Sequence, residues 1–167
     1  MQVTGKIGGE TKARKAQPVL SDFDRPLNPW GRRNAPEMGR RLKARGQVPD
    51  LLISSPALRA LTTARMAARE MGFPEGRIIE EPSLYHASGG RILAIVNSLE
   101  SLAEHLMLVG HNPGFNDFVN CLSEARVDNL PTAAIFCVDF DVDDWSEIVP
   151  GKGRFVYFDY PKRPFDR

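Results

Sequence analysis

Two apolar segments of this chain each end in a short loop that leads directly into a helix pattern. The first is "DLLIS", followed by "SPALRALTTARMAA", and the second is "LMLVG", followed by "HNPGFNDFV". Short apolar runs bounded by proline and glycine are typical of buried strands. Strands that are buried on both faces and followed by helices occur in sheets covered on both sides. The pattern therefore predicts an α/β fold.

The rest of the sequence extends this alternation. We predict helices over residues 34–45 and 91–102 and from about Pro113, a helix with Ser55 as N-cap and Gly72 as C-cap, and a brief strand at "RIIEE". Two closing strands, "TAAIFCVDFD" and "GRFVYFDYP", flank an acidic turn. At 167 residues the chain suits one domain. The prediction is a single-domain three-layer α/β sandwich, with a mostly parallel central sheet and helices on both faces.

Composition narrows the class of protein. The 22 basic residues are balanced by 21 acidic ones, so bulk charge does not favour a nucleic-acid partner. No apolar run reaches the length of a membrane span, and no apolar stretch follows the basic N-terminal residues as a signal peptide requires. Cys121 and Cys137 lie in apolar surroundings without metal-ligand spacing, which favours buried free thiols. We expect a cytoplasmic protein with neither a nucleic-acid nor a membrane partner.

The ends of the two predicted strands hold side chains suited to an anion. Arg59 lies one turn inside the helix after "SSP", and His111 directly follows "LMLVG". Ligands of open α/β sheets bind beyond the carboxyl ends of the strands, where helix N-termini present unpaired N–H groups. A guanidinium matches phosphate oxygens, and an imidazole is a donor whose charge changes near neutral pH. Either residue alone is more often structural, but together they predict a phosphate pocket.

Several motifs occur in an order that resembles a known family. They are "SDFDRPLNPWGRR", "DLLISSPALRALTTA", "LYHAS", "LMLVGHNPG", "LPTAAI" and "GKGRFVYFDYPKR". In this order they resemble the histidine phosphatase superfamily, in its small SixA-like phosphohistidine phosphatase branch. The resemblance covers about residues 21–163. One mild departure is Thr62, which stands where the branch normally has glutamine.

The resemblance implies a phosphoglycerate mutase-like fold and a phosphatase that works through a phosphohistidine intermediate, without metal or cofactor. It implies that Arg59 and His111 cradle the phosphoryl group, with Asn112 and Ser55 as further phosphate-binding residues. His86 is expected at the pocket rim, either as a general acid or as a simple exposed loop histidine. The implied substrate is a phosphorylated protein, with phosphohistidine as the target, or a small phosphate ester.

The histidine that attacks phosphorus in this family has no counterpart here. Its position falls near Gly9 and Glu10, and no histidine precedes His86. Three hypotheses follow. The chain is a phosphohistidine phosphatase whose N-terminal sequence is altered by a start-site or frame error, a pseudoenzyme that binds phosphate or phosphoprotein without turnover, or an adaptor that binds an acidic partner. The adaptor would use a basic helix with Arg32, Arg33, Arg40 and Arg41.

The N-terminal segment is atypical. Residues 1–20 contain few large apolar groups, and Gly5 interrupts "QVTGKI", the candidate strand within them. A segment that buries little apolar surface packs poorly in a sheet interior. We therefore predict a weak or disordered N-terminus up to about Pro18, with the domain proper at residues 21–167.

Overall fold

The computed structural model describes the backbone of residues 2–4 and the whole of residues 20–166. Strands and helices alternate through most of this part of the chain, and short 3₁₀ turns occur at residues 75–77, 82–84 and 145–147. The elements are β1 Gln2–Thr4, α1 Pro29–Ala44, β2 Leu51–Ser54, α2 Leu58–Met71, β3 Ile79–Glu80, α3 Gly89–Asn97, β4 Leu106–Val109, α4 Gly114–Leu122, β5 Ile135–Asp139 and β6 Arg154–Asp159.

The strands form one sheet in the order β3-β2-β4-β1-β5-β6. β3, β2, β4 and β1 run parallel, whereas β5 is antiparallel to β1 and β6 is antiparallel to β5. Crossover connections that contain helices join the parallel strands, as such pairing requires. The predicted parallel sheet with a closing strand pair is confirmed.

Neighbouring residues of the central strands point to opposite faces and contribute to two separate cores. Ile53 and Leu108 pack with α3 and α4, around the buried rings of Phe115 and Phe118. Leu52 and Met107 pack on the other face with apolar side chains of α1 and α2. Because both faces of each strand are buried, the strands appear in the sequence as continuous apolar runs. The predicted three-layer sandwich is confirmed.

The short strand β1 takes a central position between β4 and β5. Val3 lies opposite Leu108 on one side and Phe136 on the other. Pairing of these three residues alone does not test the prediction of a weak or disordered segment. The rest of the predicted weak segment, residues 5–18, lies outside the described residues. The proposed domain boundary near residue 20 therefore stays a prediction.

Two helices begin earlier than the sequence predicts. α1 begins at Pro29 and not at residue 34, because the Asn28 side chain caps it and accepts a hydrogen bond from the Gly31 N–H at 2.8 Å. Pro36 therefore lies inside the helix and not in its first turn. α3 begins at Gly89 under a Ser88 cap and ends at Asn97, short of the predicted residue 102.

The predicted cap of α2 is half right. Gly72 is the C-cap, with a left-handed φ of 75° that a glycine adopts at no steric cost. Ser55 is not the N-cap: the helix begins at Leu58, after Ala57, and no side chain caps it. The Ser55 hydroxyl instead makes a tertiary contact at the sheet edge, described below.

The two cysteines are free thiols, as predicted, with Cys137 buried and Cys121 half-buried. Burial raises the pKa of Cys137 to about 11, so its thiol stays protonated at neutral pH. None of the described helices is both long enough and apolar enough to span a bilayer.

Candidate functional site

The ends of β2 and β4 are tied together at one edge of the sheet. The Ser55 N–H donates to the Val109 carbonyl at 2.9 Å, one residue beyond the pairing of Ser54 with Val109. His111 follows two residues after Val109, and its Nε2 lies 2.7 Å from the Ser55 Oγ. The two strand ends therefore meet as predicted, and Ser55 holds the imidazole.

His111 is buried, and only one of its nitrogens is bonded. The Ser55 Oγ accepts a hydrogen bond from the Ala57 N–H at 3.3 Å and lies within hydrogen-bond distance of His111 Nε2. A neutral imidazole that accepts at Nε2 carries its proton on Nδ1. That Nδ1 is buried and has no hydrogen-bond partner in the described part of the chain. In that tautomer the Nδ1–H can donate to a ligand.

Burial and a nearby cation keep this imidazole neutral. The pKa of His111 is lowered to about 4, mainly by desolvation and next by the positive charge of Arg59. An anion placed between the two groups would offset both effects, since it would favour the protonated ring. The electrostatics therefore suit a negatively charged ligand.

Arg59, the second residue of α2, is buried and reaches the same site. It donates from one terminal nitrogen to the Asp22 carbonyl at 2.7 Å and from the other to Asp22 Oδ2 at 3.1 Å. The Leu58 N–H donates to the Phe23 carbonyl at 3.0 Å, so the loop before α1 is fixed over the start of α2. The guanidinium that the sequence assigned to phosphate binding therefore holds a carboxylate here.

Asp22 is the central residue that sequence reasoning missed. Its carboxylate accepts hydrogen bonds from Arg59, from the Tyr85 hydroxyl at 2.7 Å and from Arg25 at 3.2 Å, and His86 Nε2 lies 3.5 Å away. The Tyr85 hydrogen bond is the largest effect that lowers the pKa of Asp22, and the Arg59 charge adds to it. Three side chains thus donate to one carboxylate, with His86 beside them, so the site binds an anion supplied by the chain itself.

Tyr85 and His86 form the rim of this site. The Tyr85 ring meets the His111 ring edge-on at 5.6 Å between centroids, and the His86 ring lies 4.0 Å from that of Tyr85. His86 has a left-handed φ of 55°, which is uncommon for a residue with a side chain, and its side chain is 64% exposed. The structure thus brings His86 to the site while leaving it open to solvent. Its role as an acid stays a prediction.

The Asn112 side chain forms a hydrogen bond with the loop that follows α4. Its amide nitrogen donates to the Leu130 carbonyl at 3.1 Å, and its amide oxygen accepts from the Asn116 N–H at 3.2 Å. The amide nitrogen carries a second N–H, so these two bonds leave a donor from which a phosphate oxygen could accept. The phosphate-binding role of Asn112 stays a prediction, whereas its hydrogen bond to Leu130 is part of the structure.

The four arginines of the hypothetical basic helix surface do not form one free patch. Arg41 is buried against Asp159 at 2.9 Å, and Arg40 pairs with Glu37 and Glu70, each at 3.2 Å. Among the described residues, no group of three or more His, Cys, Asp or Glu side chains is arranged to hold a metal ion.

The pKa of His111 makes the stability of the fold depend on pH. An unfolded histidine takes up a proton near pH 6.5, whereas folded His111 does so only near pH 4. Between these values only the unfolded state gains the proton. The free energy of unfolding is therefore unaffected by this histidine above pH 6.5, and it falls by at most about 3 kcal/mol as the pH drops to 4. We expect urea unfolding at several pH values to show this loss in the wild type and a smaller one in His111→Gln. Equal pH slopes in the two proteins would contradict the prediction.

Comparison with known proteins shows which family this chain belongs to. The sequence profile of the histidine phosphatase superfamily (branch 1) matches residues 8–112, a range that includes Asp22, Arg59 and His111. An uncharacterized chloroplastic protein of Arabidopsis thaliana is 31% identical over 136 residues, which is 77% of this chain but only 62% of the plant protein, less than two thirds of its length. An uncharacterized protein of Mycobacterium tuberculosis is 29% identical over 161 residues, 90% of this chain and 98% of its own.

Solved structures share the fold over nearly the whole chain. A protein assigned as the phosphohistidine phosphatase SixA of Agrobacterium tumefaciens aligns with a TM-score of 0.78 and 24% identity, over 96% of both chains. The protein histidine phosphatase SixA in complex with tungstate aligns with a TM-score of 0.73 and 25% identity, over 96% of this chain and 97% of the other.

Proposed function

Because this chain belongs to the histidine phosphatase superfamily, we propose that it is a phosphohistidine phosphatase-like protein whose site binds the phosphoryl group of a phosphorylated protein or a small phosphate ester. One observation carries the proposal: buried Arg59 and His111 converge on a site where three side chains already donate to the carboxylate of Asp22. The tungstate bound to the SixA relative supports it, since tungstate is a tetrahedral oxyanion like phosphate.

A phosphoryl group would take the place of the Asp22 carboxylate. The Asp22 side chain is 43% exposed and its loop precedes α1, whereas the Arg59 side chain is 7% exposed and fixed in α2. The carboxylate is therefore the partner free to move aside. The guanidinium would then offer its two terminal N–H donors to two phosphoryl oxygens, a geometry that adds both energy and orientation.

His111 would supply a further donor from its buried Nδ1, and Ser55 would fix the ring through Nε2. Charge in phosphoryl transfer spreads over the three equatorial oxygens, so donors fixed in advance around them stabilise the transition state. In this proposal Arg59 and His111 bind and stabilise the group, and neither attacks phosphorus.

A second candidate function is a phosphate- or phosphoprotein-binding module without turnover. It is favoured by the histidine content: the chain holds three histidines, and none precedes His86. Of these, His105 comes just before β4 and so lies at the opposite sheet edge from His111, which is tied to Ser55. In this candidate the site keeps the donors for an anion and lacks the attacking imidazole of its family.

One experiment tests both candidates. The purified chain is unfolded thermally with increasing inorganic phosphate, with sodium chloride at equal ionic strength as the control, and release of phosphate from a phosphohistidine peptide and an aryl phosphate is measured in parallel. At a phosphate concentration of about 100 times Kd, binding should add about 2.7 kcal/mol to the free energy of unfolding.

The outcomes separate the two functions. Turnover that is lost in His111→Ala would establish a phosphatase. Stabilisation by phosphate without turnover would establish the binding module. If phosphate stabilises the chain no more than chloride does and no phosphate is released, both functions are wrong.

A further inference from the structure

A second cavity lies at the same edge of the sheet as the anion site. Its volume is about 310 Å³, and we call it the Trp30 slot after its lining residues, Trp30, Pro131, Thr132, Tyr160, Pro161 and Lys162. We propose that the Trp30 slot binds an aromatic side chain of a phosphorylated polypeptide, close in sequence to the phosphorylated residue. The inference rests on the proposed function, since it names the kind of substrate that the anion site takes.

Sheet topology places the slot beside the anion site. Ile135, the first residue of β5, pairs with Thr4 of β1, and Thr4 also pairs with Val109 at the end of β4. Asp159, the last residue of β6, pairs with Ile135. The slot segments before β5 and after β6 therefore lie at the edge where the chain leaves β4 for His111.

A direct hydrogen bond connects the two sites. The Asn112 amide donates to the Leu130 carbonyl at 3.1 Å. Asn112 is the neighbour of His111, and Leu130 is the neighbour of Pro131 in the slot wall. This bond therefore joins the loop that carries His111 to the segment that leads into the slot wall.

The walls of the slot favour an aromatic ring. The Trp30 indole is 38% exposed, and the Lys162 ammonium lies 5.4 Å from its ring centroid. An incoming ring can pack against the indole in an offset or edge-on arrangement, while the Lys162 ammonium interacts with the π face of the incoming ring. The volume is at the low end for ligand pockets, so the slot accepts one large side chain and not a larger ligand.

The slot is held in shape before any ligand arrives. Buried Arg41 donates to the carbonyls of Tyr160 and Pro161, each at 3.0 Å, and so fixes one wall to α1. The Ala134 N–H donates to the Pro131 carbonyl at 3.1 Å and closes a turn in the opposite wall. A preformed slot loses little conformational freedom on binding.

Charge around the slot suits an anionic polypeptide. Arg32 and Arg33 are exposed and follow Trp30 by two and three residues in α1, and exposed Lys162 lines the slot. These cations complement the phosphoryl group and acidic side chains near it, and they would repel a basic segment.

The test uses peptides that carry a stable phosphohistidine analogue in an alanine background. A single phenylalanine is moved through the positions on either side of the analogue, and Kd is measured by fluorescence anisotropy. We expect one placement to bind about fivefold tighter than the all-alanine peptide, as an aromatic contact of this kind allows. This gain should vanish in Trp30→Ala and shrink in Lys162→Ala.

Matched controls come from the opposite sheet edge. Phe155 is a similarly exposed aromatic residue near the start of β6, and Lys152 precedes that strand. The phenylalanine gain should persist in Phe155→Ala and Lys152→Ala.

Competition by inorganic phosphate separates failure of this inference from failure of the proposed function. If phosphate displaces every peptide but no placement of phenylalanine improves binding, the slot inference is wrong and phosphoryl binding stands. If leucine at the best placement gains as much as phenylalanine, the aromatic assignment is wrong. If phosphate displaces none of the peptides, the proposed function itself is wrong.

Discussion

Replacement of Arg59 by alanine should weaken the binding of inorganic phosphate by about 100-fold. The guanidinium is buried and offers two N–H donors, which in the ligand-free chain are held by the carbonyl and carboxylate of Asp22. Hydrogen bonds to charged groups contribute about 1.5–3 kcal/mol each, so losing two of them costs at least about 3 kcal/mol, or two orders of magnitude in affinity. Isothermal titration calorimetry with phosphate, on wild type and variant at equal ionic strength, measures the effect.

Two further variants make this result specific. Arg65 lies on the same helix and is exposed, so Arg65→Ala should change phosphate affinity less than twofold. Asp22→Asn should tighten phosphate binding, because it removes the negative charge that competes for Arg59. If Arg59→Ala binds phosphate as tightly as the wild type, the anion does not occupy this site.

The fold was predictable because its determinants are local. Strands buried on both faces must be apolar at consecutive positions, as Leu52 and Ile53 are, and this leaves a continuous run in the sequence. Parallel strands of one sheet end at the same sheet edge, so the sequence places Arg59 and His111, which follow β2 and β4, at that edge. Boundaries were less accurate where two start signals compete, as Pro36 and the Asn28 cap do in α1.

The central anion of the site was not predictable in this way. Asp22 meets Tyr85 across 63 residues of sequence and Arg59 across 37. Its loop has neither strand nor helix periodicity, so no local pattern indicates what its carboxylate contacts. For the same reason the sequence predicts that the Ser55 hydroxyl caps α2, whereas in the structure it contacts His111. Contacts made by loops depend on packing that periodicity does not encode.

Replacement of Arg41 by alanine should reduce the free energy of unfolding by about 3 kcal/mol. The side chains of Arg41 and Asp159 are 7% and 1% exposed and meet at 2.9 Å, and Arg41 also satisfies the carbonyls of Tyr160 and Pro161. Removing one partner of a buried ion pair leaves the other charge poorly compensated, and this costs about 3–5 kcal/mol. The lower end applies because Arg45 still contacts Asp159 at 3.2 Å. Urea unfolding measures the loss.

Arg40→Ala is the matched control, since its side chain is 41% exposed and pairs only with Glu37 and Glu70 among the described residues. Its loss should cost less than about 1 kcal/mol. A similarly small loss in Arg41→Ala would mean that Arg45 compensates for the missing cation. Because Arg41 also fixes the wall of the Trp30 slot, the same variant should lose part of the phenylalanine gain while phosphate still competes. The proposed selectivity of the slot would then depend on the same buried guanidinium that stabilises the fold, which joins α1 to the segment after β6.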